Sequence, residues 1–134
     1  MLKQVSIYAE NTKGKMLAIT SVLAESGINI LGSVTNDSAE YGIVRMVVSD
    51  PEKASDVLLK KGFICKLTDV IGVEIKDEVG NLNKLLKALN DANISVNYLY
   101  LSYNRESGCP IMVLHTPDAR EVENSLRSKG FELC

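Results

Sequence analysis

Lys13-Gly14-Lys15-Met16 recurs later in the chain as Val79-Gly80-Asn81-Leu82, and the offset that carries Gly14 onto Gly80 carries much of the surrounding sequence with it. Ile7 falls on Val73, Leu23 on Leu89, Ile28 on Ile94 and Ile30 on Val96. Further on, Gly42 falls on Gly108, Met46 on Met112, Val47 on Val113 and Pro51 on Pro117. The register then slips by two residues, so that Lys61-Gly62-Phe63 matches Lys129-Gly130-Phe131. A slip of that size reads as a short extension inside the last helix. Self-similarity over this length fixes the architecture before any local reading does. The chain is two copies of one unit, residues 1–68 and 69–134.

Each copy is legible by its periodicity. Val5, Ile7 and Ala9 alternate with polar residues, as do Ile71, Val73 and Ile75, which is the pattern of a half-buried strand. Met16, Ile19 and Leu23 recur at helical spacing, and Leu82, Leu85, Leu86, Leu89 and Ala92 form a wider helical stripe. Gly27 and Asn93 follow these helices and suit the left-handed conformation of a C-cap. Residues 28–35 and 41–49 are rich in β-branched and aromatic types around a polar turn at 36–40, and residues 98–103 and 109–115 repeat the arrangement. Asp50-Pro51 and Thr116-Pro117 each place a capping residue before a proline, which predicts the start of a second helix. Gly62 and Gly130 close those helices, and residues 63–67 and 131–133 return as last strands.

The order strand, helix, strand, strand, helix, strand is the split βαβ or ferredoxin-like arrangement. The predicted class is α+β: two βαββαβ units, each a four-stranded antiparallel sheet with both helices on one face and the other face open. Units of this size have marginal cores, so burial of one copy against the other, and a homodimer, are expected. The composition, 46% hydrophobic and 24% charged with a net charge of −2, is that of a globular chain and excludes disorder. No apolar run approaches the length of a membrane span, and the first residues lack the apolar core of a secretory signal, so a cytoplasmic location is expected. Cys65, Cys109 and Cys134 are odd in number and far apart, which suits reduced thiols.

The repeat and its details resemble the ACT domains. The resemblance rests on Glu10-Asn11-Thr12-Lys13-Gly14-Lys15-Met16 with Ser26-Gly27-Ile28-Asn29-Ile30, and again on Lys76-Asp77-Glu78-Val79-Gly80-Asn81-Leu82 with Ala92-Asn93-Ile94-Ser95-Val96. It covers nearly the whole chain. ACT domains are ligand-sensing modules, usually attached to amino-acid biosynthetic enzymes, and bind an amino acid where the loop before the first helix meets a neighbouring ACT domain. What the resemblance implies is therefore a small-ligand-binding regulatory module with no catalytic activity and no cofactor, its ligand an amino acid and its partner a metabolic enzyme regulated in trans. The family often carries Pro before the loop glycine, whereas this chain has Lys13 and Val79 there.

The loop has its own physical case. A glycine in a strand-to-helix turn lets backbone N–H groups approach a ligand, and the helix N-terminus favours a carboxylate. Asn11 and Asp77 stand where an ammonium or a side chain would be held. With what the resemblance implies, the expected ligand-binding set is Asn11, Thr12, Lys13, Gly14, Lys15 and Met16 with Asn29 and Leu31 in the first copy. In the second copy it is Asp77, Val79, Gly80, Asn81 and Leu82. Lys13 and Lys15 make the first loop basic, while Asp77 and Glu78 make the second acidic, so charge favours the first for a carboxylate.

Other chemistries find little support. Catalysis by a triad needs a nucleophile beside a base, and the one imidazole, His115, ends an apolar run with no G-x-S-x-G elbow in the chain. No C-x-x-C or H-x-x-x-H spacing points to a metal. RNA-binding domains of the same strand order need stacking aromatics on the third strand, but Ile43-Val44-Arg45-Met46-Val47-Val48 and Ile111-Met112-Val113-Leu114 have none. The slightly acidic chain also lacks a phosphate-binding charge. The structural alternative is a ligand-free assembly subunit that associates through its sheet faces.

Overall fold

In the computed structural model, which describes residues 1–10, 12–36 and 41–134, four helices and seven strands follow one another among the described residues. They are β1 Leu2–Glu10, α1 Lys15–Glu25, β2 Ile30–Asn36, β3 Tyr41–Val48, α2 Pro51–Lys60, β4 Ile64–Glu74, α3 Asn81–Asp91, β5 Tyr98–Tyr103, β6 Pro110–His115, α4 Ala119–Ser128 and β7 Glu132–Leu133. The class is α+β. The order strand, helix, strand, strand, helix, strand occurs twice, with β4 ending the first round and beginning the second. Thr68-Asp69, where the two copies meet, lies inside β4. That stretch holds one glycine and no proline, so nothing interrupts its extended backbone. Of the turn expected at residues 36–40, Asn36 ends β2 and residues 37–40 lie outside the described residues.

The chain divides into two compact units, residues 3–68, and residues 69–134 together with Met1 and Leu2. In the first, β3 pairs antiparallel with β1 (Val5↔Met46, Ile7↔Val44) and with β2 (Ser33↔Met46, Thr35↔Val44). Alternate residues of β1 and β3, namely Val5, Ile7, Val44, Met46 and Val48, share one buried cluster with Ile19 and Leu23 of α1 and Ala54 and Leu58 of α2. One face of each strand therefore buries against both helices, and each fully buried Leu or Ile contributes about 1.5–3 kcal/mol.

The second unit repeats this pattern with its third strand displaced by two residues: Ile71, the counterpart of Val5, faces Leu114 where Val5 faces Met46. β6 pairs antiparallel with β4 (Ile71↔Leu114, Val73↔Met112) and with β5 (Leu99↔Leu114, Leu101↔Met112), and β7 pairs with β4 (Val73↔Leu133). Its cluster of Ile71, Val73, Leu85, Leu89, Met112, Leu114, Val122 and Leu126 holds the counterparts of the first cluster.

The helix ends show how local sequence sets these elements. Gly27 at φ 71° and Asn93 at φ 56° turn the chain out of α1 and α3. There Ile28 N donates to Leu23 O and Ile94 N to Leu89 O, both at 2.9 Å, the closing bonds of a Schellman motif. Asp50 caps α2, its carboxylate accepting from Lys53 N at 3.2 Å. The cap of α4 differs from expectation. It is Asp118, accepting from Glu121 N at 3.2 Å, and Pro117 stands before the helix rather than in its first turn. A carboxylate with a free amide three residues on outcompetes the threonine hydroxyl for the capping role. The two-residue slip in the repeat falls in the turn between β5 and β6 and not inside the last helix. From the third strand onward the offset is already that of Asp50 to Asp118 and Phe63 to Phe131, so Met46 corresponds to Leu114 and not to Met112. The matches of Gly42 with Gly108, Val47 with Val113 and Pro51 with Pro117 are likewise displaced by two.

The strand faces turned away from the helices, expected to be open, are buried at several positions. Gln4 is 0% and Ser6 4% exposed, and Val47, Tyr100, Ser102 and Val113 are also buried. Burial of Gln4 and Ser6 is tolerable because the polar groups satisfy one another. The Gln4 amide donates to Ser6 Oγ at 3.0 Å, and the Ser6 and Thr68 hydroxyls lie 3.1 Å apart.

Candidate functional site

The two loops between first strand and first helix have one backbone. Gly14 and Gly80 are the N-caps of α1 and α3, both at φ 89° and ψ −6°. A Cβ at either would meet nothing within 4 Å, so the conformation, and not crowding, demands glycine. In the first loop Thr12 N donates to Glu10 O (2.8 Å), Lys15 N to Thr12 O (3.2 Å) and Ala18 N to Gly14 O (2.9 Å). The second repeats each bond: Glu78 N to Lys76 O (2.9 Å), Asn81 N to Glu78 O (3.2 Å) and Lys84 N to Gly80 O (2.9 Å). Neither helix has a capping side-chain bond or an acidic residue in its first turn, so both ends keep their positive potential.

Of the residues singled out by sequence, Asn11 lies outside the described residues. Thr12, Lys13, Gly14, Lys15 and Met16 are exposed together on the first loop, and Asp77, Val79, Gly80 and Leu82 on the second, with Asn81 half-buried. Asn29 and Leu31 stand apart from the Gly14 loop. Asn29 is tied to Ser49, its N–H donating to Ser49 Oγ and its carbonyl accepting from Ser49 N, both at 2.9 Å. Leu31 sits at the register shift between Ile30 and Gly32. They follow the far end of α1, whose 11 residues span about 16 Å.

Space distinguishes the loops more than charge does. Beside the first is a cleft of about 50 Å³ lined by Glu10, Thr12, Lys15, Met16, Thr35 and Val44. Beside the second is a cavity of about 310 Å³ whose lining includes Glu74, Lys76, Asn81, Lys84, Phe131 and Glu132. The two spaces lie on different sides of their loops, the first toward Thr35 and Val44 and the second toward Phe131 and Glu132, and the units also differ in the side chain beside the ring. In the first unit the Lys15 ammonium lies 6.0 Å from the centroid of the Phe63 ring. Its counterpart in the second unit, Asn81, is shorter and donates to Lys76 O at 2.9 Å, which leaves the ring of Phe131 facing the cavity. A second cavity, of about 330 Å³, lies between Asn93 and Ser95 on one side and Asp118, Glu121 and Ser125 on the other. There too the first unit carries a lysine: Lys53, the counterpart of Glu121, donates to Ser26 O at 2.8 Å.

Thr35, Glu74, Lys84 and Phe131 were not singled out by sequence. The repeated Lys-Gly-Phe was visible, but its aromatic ring approaches the loop only through the fold. The Glu74 carboxylate accepts from Asn104 Nδ2 at 2.6 Å, which fixes it at the end of β4. His115 ends β6 and stacks on Tyr98, its partner across the strands, with centroids 4.9 Å apart. Burial pushes the Cys65 thiol above its usual range against the hydrogen bond from Ser55. Burial and then the Glu74 carboxylate push Cys134 up as well. These thiols favour the protonated form, which suits packing better than nucleophilic work. Among the described residues, no cluster of His, Cys, Asp or Glu could hold a metal ion, and no helix is long and apolar enough to cross a membrane.

A duplicated α+β unit with a glycine-capped helix after each first strand defines the class of this protein. The chain belongs to the family of ACT domain pairs, whose model matches residues 1–130. Among solved structures it is similar to a protein from Bacteroides thetaiotaomicron, with 31% identity and a TM-score of 0.90 over 99% of this chain and 91% of that one. The ligand-free regulatory subunit of aspartate kinase from Thermus thermophilus has 17% identity and a TM-score of 0.68, over 93% of this chain and 88% of that one. The corresponding subunit from Thermus flavus has 20% identity and a TM-score of 0.66, with the same coverage of 93% and 88%. At these identities the two subunits share the fold. No curated protein sequence matches the chain.

Proposed function

We propose that this ACT domain pair is a cytoplasmic regulatory module that binds a free amino acid at its strand–helix loops and performs no covalent chemistry. In this reading each unit is a four-stranded antiparallel sheet with both helices on one face, and the ligand lies against Thr12–Met16 or Asp77–Leu82. The observation that carries it is the pair of loops: the same left-handed glycine and the same three hydrogen bonds recur while almost every loop side chain changes. A turn that only joins two elements has no need of uncapped amides at both helix starts. Those amides are suited to a carboxylate. The family membership and the fold shared with regulatory subunits of aspartate kinase support the regulatory part of the reading. Ligand binding would change how the chain associates with itself as a homodimer or with a metabolic enzyme in trans. A coupling of ~1–3 kcal/mol suffices for that.

Thermal melts of the full chain with each common L-amino acid test this. A ligand at a hundred times its dissociation constant adds ~2.7 kcal/mol of stability. A flat response to every amino acid would favour the other reading, a ligand-free assembly subunit. One feature supports that alternative: β5, which pairs only with β6 among the described strands, exposes Leu101 at 45% and Tyr103 at 43%.

A further inference from the structure

Each position of one unit has a natural control in the other. At the 310 Å³ cavity the control is informative, because the second unit carries ionised residues where the first has uncharged ones. Glu74 stands where the first unit has Tyr8, Lys84 where it has Ala18, and Glu132 where it has Ile64. The first unit builds the same fold without those charges, so the fold does not require them. Among the described residues, Lys76, Lys84 and Glu132 have no ion-pair partner. The aromatic group is common to both units. In the first, a primary ammonium already lies over Phe63, at 6.0 Å, supplied by Lys15. In the second, Phe131 and Asn81 both line the cavity, and Asn81, too short to cover the ring as Lys15 does, donates to Lys76 O. The first unit thus holds, covalently attached, a model of the group that the second unit lacks.

We infer that the second unit's cavity binds a free α-amino acid as its zwitterion, with the ammonium on the face of Phe131 beside Glu132 and the carboxylate on Lys84. The first unit, filled by its own lysine, takes none. The attraction of an ammonium for an aromatic face and charge-assisted hydrogen bonds to a carboxylate are the physical terms involved. A cavity of this volume lies at the small end of ligand sites, in keeping with a ligand of amino-acid size. The inference rests on the amino-acid reading above, moves the carboxylate from the helix-start amides to the Lys84 ammonium one turn on, and adds one site and a stoichiometry of one per chain.

Calorimetric titration of the full chain with each common L-amino acid, followed by variants, tests it. Asn81→Lys installs the first unit's plug on a backbone that already accepts lysine, and should weaken binding by at least about tenfold. Phe131→Leu should weaken it by about tenfold, and Glu132→Gln, on an exposed side chain, by a few-fold. The Nα-acetyl form of whichever amino acid binds lacks the ammonium and should fail to bind. Two molecules per chain, binding of the acetylated form, or unchanged affinity in both Asn81→Lys and Phe131→Leu would overturn the assignment while leaving amino-acid binding intact. If no amino acid binds the unaltered chain, the assignment and the reading beneath it fall together.

Discussion

The loops at Gly14 and Gly80 share their backbone geometry and differ in what surrounds it. Both glycines hold φ 89°, and three hydrogen bonds correspond one to one, yet one loop borders about 50 Å³ of space and the other about 310 Å³. The difference shows which parts of the unit are held by the fold and which are available to function. Core positions exchange apolar residues for one another, as Val5 with Ile71, Ile19 with Leu85 and Met46 with Leu114 show. Around the loop the exchanges change charge and size: lysine for asparagine at the helix start, alanine for lysine one turn on, isoleucine for glutamate at the last strand. Lysine side chains cover in the first unit the places that remain open in the second, both at Phe63 and at Ser26.

The equivalence of the cores can be broken most severely at Leu58 and Leu126, counterparts on α2 and α4 that are 0% and 1% exposed. Each is replaced in turn by alanine. Both substitutions should cost about 2–5 kcal/mol, measured by urea denaturation, because each removes a buried side chain and leaves a cavity behind. Similar losses are expected from the two variants, given matching clusters of strand and helix residues around each. A loss below 1 kcal/mol at one site alone would show that its unit closes around the gap and that the two cores differ in rigidity.

How much of this was legible in the sequence follows from the same contrast. The repeat, the order of elements and the core residues could be read because each depends on short-range periodicity. The caps at Gly27, Asn93, Gly62 and Gly130 could be read because a positive φ restricts residue choice. The start of α4 could not, since Thr116-Pro117 and Asp118 are both good starting signals and only the bond from Glu121 N decides between them. The continuity of β4 was obscured by the polar pair Thr68-Asp69, which a strand accommodates where its neighbours supply partners. The cavities were beyond reach for a different reason. Each is lined by residues from several elements, as Lys84 of α3 and Phe131 before β7 meet in one of them, and no local pattern encodes that meeting. Charge, the one property visible in sequence, favoured the first loop, whereas space favours the second.

Alanine at Gly14 and at Gly80 sharpens the comparison at the loops themselves. With the same dihedral angles and no atom within 4 Å of the added Cβ, both variants should lose about 1–2 kcal/mol from left-handed strain alone. Equal losses, read as equal shifts in the denaturation midpoint, would establish that the two loops are energetically one structure. Unequal losses would mean that one loop relaxes into another conformation, and the shared backbone would then no longer isolate side chains as the source of the difference.

The smallest effect concerns the lysine that distinguishes the cavities. Lys15→Asn gives the first unit the second unit's residue and removes an exposed ammonium from Phe63, a contact of about 0.5–1 kcal/mol. Asn81→Lys makes the reverse exchange over Phe131 and should gain a comparable amount, less the bond that Asn81 Nδ2 now gives to Lys76 O. Melting both variants without ligand measures these terms. Because a cation over an aromatic ring needs no fixed hydrogen-bond geometry, arginine at position 15 should retain most of the stability that asparagine loses. If Lys15→Asn costs several kcal/mol instead, Lys15 is part of the first unit's framework, and the difference in open volume would reflect two folds that have diverged rather than one fold with a removable plug.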